Sequence, residues 1–139
     1  MKTQKIIAWL IGLACICLIT ACFQETRSAD TSADLPTAVA QQHERHDVLK
    51  RHNAELTSLA LATQQKGCVV TRTQKEQFVR IIDGLDSCDS LLDKCHSMLD
   101  VPYDDESAAW EQLLQFDKYM KTVNNFHKTV LLTLTEWVK

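Results

Sequence analysis

The chain has 139 residues, of which 15 are basic and 18 are acidic, and its formal net charge is −3 at pH 7. Binding to nucleic acid requires a basic surface, so this charge balance predicts no nucleic-acid partner. Three glycines and two prolines supply few turns for a many-stranded β fold. The composition therefore favours a small number of long helices.

The first residues of the chain have the composition of a secretory signal peptide. Lys2 and Lys5 precede an apolar run from Ile6 to Ile19. This run is short for a membrane-spanning helix, which needs roughly 20 apolar residues. A basic start followed by a short apolar segment predicts a signal peptide over residues 1–21.

The five residues Leu-Ile-Thr-Ala-Cys at positions 18–22 close this segment. They resemble the lipobox of bacterial lipoproteins. The resemblance implies that Cys22 becomes the lipidated first residue of the mature protein, held in the membrane by acyl chains such as palmitate. Phe23 follows Cys22, where lipoproteins retained in the inner membrane often carry aspartate. The resemblance therefore implies the outer membrane, with the protein facing the periplasm.

Residues 22–35 form a small and polar segment without helical or strand periodicity. This pattern predicts a lipidated, flexible and disordered tether. The remaining residues, 36–139, are expected to form one periplasmic helical domain.

The first predicted helix runs from near Pro36 to Gln65, and Lys66-Gly67 provides a stop signal after it. Its apolar stripe is short and consists of Leu49, Leu56 and Leu59, with His52 in phase. Nearer the start, Gln42 and Arg45 occupy the matching positions. We therefore expect that part of the helix to be solvated or covered by another molecule, such as a docked client segment.

Two further helices are predicted from apolar positions that alternate in steps of three and four, the heptad spacing of coiled coils. The second is preceded by the capping boxes Thr71-x-x-Gln74 and Thr73-x-x-Glu76. We favour a second helix that continues through Gly84, although a break there stays open. The predicted core positions are Phe78, Ile81, Leu85, Cys88, Leu92, Cys95 and Leu99, and then Ala109, Leu113, Phe116, Met120, Val123, His127, Val130, Leu134 and Trp137.

Three such helices joined by short turns predict an all-α fold, an antiparallel three-helix bundle of long helices behind the N-terminal tether.

Three cysteines remain after the lipobox, namely Cys68, Cys88 and Cys95. On a continuous helix Cys88 and Cys95 are about 10 Å apart, beyond the roughly 7 Å that a disulfide spans. Three interpretations stay open: buried thiols at Cys88 and Cys95, a disulfide from Cys68 to either of them, and a link between two chains that would give a homo-oligomer.

Two histidines of the first predicted helix are candidate metal ligands. His43 and His46 are three residues apart, so they share a helix face and could bind one metal ion together with Asp47. A polar helix surface is the favoured interpretation, and no cofactor is predicted. His127 lies within the predicted core of the third helix and is expected to be a core histidine.

Asp86, Asp89 and Asp93 recur at three- and four-residue spacing and form an acidic stripe on the second helix. Within residues 83–106 only Lys94 opposes these and the other acidic residues. The stripe is a candidate binding surface for a basic protein partner, and a solvated helix face is the alternative.

The sequence contains no glycine-rich phosphate loop and no nucleophile elbow, so we predict that the protein is not an enzyme. We expect a protein-binding adaptor of an envelope machine for secretion, pilus assembly or conjugation, by analogy with pilotin lipoproteins. Two alternatives are an immunity or exclusion lipoprotein that blocks a toxin, phage or conjugation machinery, and a periplasmic metal or stress sensor.

Overall fold

The computed structural model describes residues 34–139, which form three long helices that all contact one another. Helix α1 spans Leu35–Gln65, α2 spans Arg72–His96 and α3 spans Glu106–Val138, and a 3-10 turn at Ser97–Leu99 extends α2. The predicted three-helix bundle is thus confirmed. The predicted signal peptide, the lipobox and the tether up to residue 33 lie outside the described residues.

The ends of α1 follow the sequence signals closely. Pro36 lies in the first turn, and α1 begins at Leu35, the last residue of the predicted tether. At the other end Gly67 has a φ of 76°. Its N–H donates to the Gln64 carbonyl at 3.0 Å, and the Cys68 N–H donates to the Thr63 carbonyl at 3.2 Å. This pair of bonds is the Schellman motif, in which glycine accepts a left-handed conformation at low cost.

Side chains cap the starts of α2 and α3. Thr71 and Gln74 form the first predicted capping box, with the side chain of each accepting from the backbone of the other. The box predicted at Thr73 and Glu76 does not form, because Thr73 already lies inside α2. Asp105 caps α3 by accepting a hydrogen bond from the Ala108 N–H.

Side chains at successive positions along α1 form hydrogen bonds to residues of decreasing number on α2 and of increasing number on α3. Helix α2 therefore runs antiparallel to α1, whereas α3 runs parallel to it. The bonds that establish these directions are His46 to Leu92 and Asn53 to Leu85, and Arg45 to Asp117 and Asn53 to His127.

The predicted core positions of α2 and α3 are buried, except for Trp137, which is only half-buried at the end of α3. They contribute to two apolar clusters. One contains Leu49, Cys88, Leu92, Cys95, Leu113, Phe116, Met120 and Val123 among others, and the second contains Leu56, Ala60, Phe78, Ile81, Leu85, Val130, Leu131 and Leu134.

Gly84 lies inside α2, which continues through it as we favoured from the sequence. A Cβ atom at this position would lie 2.2 Å from Cζ of Phe126 on α3. The ring of Phe126 packs against both apolar clusters. Glycine therefore weakens the helix intrinsically but allows close packing of α2 on α3.

The expectation for the first half of α1 is wrong. Gln42 has no exposed surface, and Arg45 is 5% exposed. These polar side chains face the other helices of the bundle, and Arg45 is neutralised there by Asp117. The polar stripe of α1 is therefore part of the interior, and no client segment can dock on it while the bundle is folded.

None of the three helices contains an apolar stretch of the length that a membrane span requires; this holds for the part of the chain that the structure describes.

Candidate functional site

A buried ion pair joins α1 to α3 near the first apolar cluster. Arg45 donates to Asp117, and Lys121 lies 2.9 Å from the other carboxylate oxygen. Burial by itself would raise the pKa of the Asp117 carboxyl, but the hydrogen bonds from Lys121 and Arg45 outweigh burial and lower the pKa. Asp117 is thus ionised at neutral pH and holds the two helices in register.

A second polar contact separates the two apolar clusters. Asn53 donates from its amide nitrogen to the Leu85 carbonyl at 2.8 Å, and its amide oxygen lies 2.8 Å from Nε2 of His127. The oxygen accepts, so Nε2 of His127 carries a hydrogen. Burial, and secondarily the charge of nearby His52, lowers the pKa of His127 to about 4. His127 is therefore a neutral core histidine, as predicted.

The acidic stripe of α2 is partly neutralised from within the molecule. Lys50 of α1 lies 2.9 Å from Asp89 and 2.7 Å from Asp93. The hydrogen bonds to Asp93 and Asp89 raise the pKa of Lys50, and the bond from Lys50 lowers the pKa of Asp93. Lys94 is the only lysine or arginine within residues 83–106, as the sequence shows, but Lys50 reaches the stripe from the neighbouring helix.

Asp83 and Asp86 remain outside this network. Both side chains are exposed, and among residues 34–139 no cation lies within ion-pair distance of either one. They are three residues apart, so they lie on neighbouring turns of one face. This pair, together with the one negative charge that a single lysine leaves on Asp89 and Asp93, makes up the acidic charge available on this face of α2.

A groove of 330 Å³ runs between α1 and α2 beside Asp86. Its lining combines apolar and acidic groups: Asn53, Ala54, Thr57, Ile82, Leu85, Asp86 and Asp89. Asp86 also borders an adjoining shallow depression of 590 Å³, which includes Asp83 and Lys94. We call the first groove together with Asp83 the acidic groove, and it is the candidate site of the protein.

The three histidines near the start of α1 and the end of α2 lie close together. The ring centroids of His43 and His96 are 5.7 Å apart, and those of His46 and His96 are 5.1 Å apart. His46 is only 5% exposed, so the favoured interpretation of a polar helix surface is wrong for His46. His96 was not among the residues that the sequence pointed to.

All three cysteines of the described chain are free thiols, with Cys88 and Cys95 buried and Cys68 half-buried. Burial raises the pKa of both the Cys88 and the Cys95 thiol, which makes them less reactive. Because α2 is continuous, it separates Cys68 from Cys95 by roughly 35 Å at 1.5 Å per residue. The link between two chains through Cys68 stays a prediction.

No protein-family model, no curated protein and no solved structure matches this chain.

Proposed function

We propose that this protein is a lipid-anchored periplasmic lipoprotein that binds a protein partner as an adaptor subunit of an envelope machine. The partner would present a basic segment to the acidic groove. The observation that carries this proposal is the exposed pair Asp83 and Asp86, which forms no ion pair within residues 34–139 and lies beside a groove lined by both apolar and polar side chains.

The composition of the groove suits lysine and arginine side chains. Their aliphatic stems can cover apolar surface while the charged ends remain at a polar rim. In the groove Ala54 and Ile82 supply the apolar contacts, and Asp86 supplies the charge. Exposed ion pairs contribute roughly 0.2 to 1 kcal/mol each, so charge serves mainly to steer and orient the partner.

The test is affinity capture from envelope extract with the immobilised full chain in detergent. We expect the double variant Asp83→Asn and Asp86→Asn to lower the affinity for its partner about threefold to tenfold, since 1.4 kcal/mol is a factor of ten. The matched control carries Asp100→Asn and Asp104→Asn, two exposed acidic residues outside the groove, and should bind normally. Equal binding by both double variants would contradict the proposal.

Lys50 offers a change in the opposite direction. Lys50→Met removes the cation that neutralises Asp89 and Asp93, so the groove becomes more acidic. A basic partner should then bind more tightly, and the gain should shrink as salt is added. Weaker binding by this variant would show that the partner is not attracted by negative charge.

The proposed location of the protein, anchored to the outer membrane by lipid, is inferred from the lipobox. Cys22 provides the proposed membrane attachment. The Cys22→Ser variant should therefore be released into the periplasm as a folded protein. Fractionation of cells that express this variant provides the measurement. Retention of the variant in the membrane fraction would refute the lipid anchor and leave the groove proposal to its own test.

The identity of the captured partner distinguishes the adaptor from the immunity and exclusion alternatives. A secretion, pilus or conjugation component of the cell itself supports the adaptor. A toxin or a component of an incoming phage or conjugation apparatus supports immunity or exclusion through the same acidic groove.

A further inference from the structure

A cluster of three imidazoles lies where the start of α1 crosses the end of α2. We propose that His43, His46 and His96 bind a transition-metal ion such as Zn²⁺, with Nδ1 of His46 as the fixed ligand. This site is separate from the acidic groove and does not depend on the function proposed for that groove.

The hydrogen bonding of His46 prepares it for this role. Its Nε2 lies 2.8 Å from the Leu92 carbonyl oxygen, which can only accept, so Nε2 carries the hydrogen. The lone pair of the neutral ring is therefore on Nδ1. That atom is buried and has no hydrogen-bond partner. Histidines that bind metals typically donate their other ring N–H to a carbonyl or carboxylate in this way.

The spacing of the rings fits a shared metal ion. Two imidazoles on one tetrahedral zinc have centroids roughly 5 Å apart, given a Zn–N bond of about 2 Å. His96 lies 5.1 Å from His46 and 5.7 Å from His43 between ring centroids. Asp47 lies 3.6 Å from Nδ1 of His46 and offers a fourth ligand. Imidazole with carboxylate suits zinc, copper or nickel.

Binding requires two rings to turn. As the side chains stand, no three histidine, cysteine, aspartate or glutamate groups in residues 34–139 are arranged as a metal site. His96 is exposed and His43 is only half-buried, so both rings have room to rotate towards Nδ1 of His46. His46 itself stays in place, held by the Leu92 carbonyl.

The experiment is a zinc titration of the full chain in a Cys68→Ser background, which removes the one thiol within residues 34–139 that is not buried. We expect saturable binding of one ion per chain by calorimetry, and a rise in melting temperature with zinc. His43→Gln and His96→Gln should each weaken binding at least tenfold. Both change accessible side chains, so the fold should survive. Ser90→Gln, an exposed neutral position on α2, is the matched control and should bind as the background protein does.

Nitrogen-15 NMR of the histidine rings identifies the bound atom. The proposal predicts that zinc shifts Nδ1 of His46 while its Nε2 stays protonated. It is overturned if zinc produces no saturable binding, if binding survives in both histidine variants, or if Nδ1 of His46 does not respond.

Discussion

Two stretches of α1 bury side chains of opposite character. Residues 42–53 place glutamine, arginine, two histidines and an asparagine in the interior beside a single buried leucine, whereas Leu56 and Ala60, further along the same helix, join the second apolar cluster. We call the first stretch the polar half and the second the apolar half. The apolar half gains stability from burial that any apolar partner of suitable shape supplies. The polar half is stable only where each group meets a particular partner, and it therefore specifies how the helices align.

Among the contacts of the polar half, the ion pair between Arg45 and Asp117 should make the largest contribution to the free energy of unfolding. Arg45→Met leaves Asp117 buried with only the exposed cation Lys121 nearby, and we expect a loss of about 3 to 5 kcal/mol in the free energy of unfolding. Urea denaturation measures it. The double variant Arg45→Met and Asp117→Leu should recover most of the loss, because no buried charge is left unpaired.

Lys121→Met is the control for that cycle. It removes the exposed partner of Asp117 and should cost less than about 1 kcal/mol. A loss as large as that of Arg45→Met would mean that Arg45 does not provide the buried charge pairing.

Acid should weaken the contact between Asn53 of the polar half and His127 of α3. The folded-state pKa of His127 is about 4, below the ordinary value of 6.5, so the unfolded chain binds this proton more readily. The contribution of neutral His127 to the free energy of unfolding is fully present above pH 6.5. It falls by on the order of 3 kcal/mol as the pH falls towards 4. His52, whose pKa is also lowered by burial, acts in the same direction.

Denaturation curves between pH 4 and 7 measure this slope. His127→Gln keeps a hydrogen-bonding side chain but removes the titration, so its stability should vary less with pH. Asp117 acts mainly below this window, because its pKa is lowered in the folded protein and its contribution to stability is lost as the pH falls through and below the ordinary value of 3.8. An unchanged slope in His127→Gln would contradict the account.

Gln42 marks the point where the polar half is unsatisfied. Its amide nitrogen and oxygen are both buried and neither has a hydrogen-bond partner. Gln42→Leu should therefore stabilise the protein by about 1 to 2 kcal/mol. Thermal and urea unfolding measure the gain. Gln41→Leu, at the exposed neighbouring position, should change stability by less than about 0.5 kcal/mol, and a similar gain there would contradict the assignment.

Gly84 of α2 tests the close packing of α2 on Phe126 of α3, with a smaller effect. Gly84→Ala should stabilise the helix itself by about 1 kcal/mol. The new Cβ must displace the ring of Phe126, so we expect a net loss of about 1 kcal/mol in the free energy of unfolding. In a Phe126→Leu background the same change should become stabilising, because the ring that the new Cβ meets is gone. A stabilising effect in both backgrounds would show that the close packing at Gly84 costs nothing to disturb.

The sequence predicts the apolar parts of this fold well, because their signals are local. The seam from Phe78 to Leu99, the capping box at Thr71 and the stop at Gly67 each follow from residues within a few turns. The partner of Arg45 lies 72 residues away along the chain, and no local pattern connects the two. The sequence offered one local indication: Asp117 follows the core position Phe116, so its carboxylate lies next to the buried seam and would need a partner there.

The candidate sites were predictable only in part. Asp86 emerged from spacing along α2, but Lys50 comes from another helix, so neutralisation of Asp89 and Asp93 required the structure. The sequence did not point to His96, because its contact with His43 depends on how α1 crosses α2. Interactions between helices decide which polar residues are interior and which are available to a partner.

Thiol labelling of α1 tests most directly that the polar half is interior. Gln42→Cys and Gln41→Cys, each in the Cys68→Ser background, place one new thiol on adjacent positions of opposite exposure. We expect the cysteine introduced at position 41 to react at the rate of an unfolded peptide, whereas the cysteine introduced at position 42 should react only as the protein unfolds. Rapid labelling at both positions in the folded protein would contradict this expectation and would restore the first half of α1 as a binding surface.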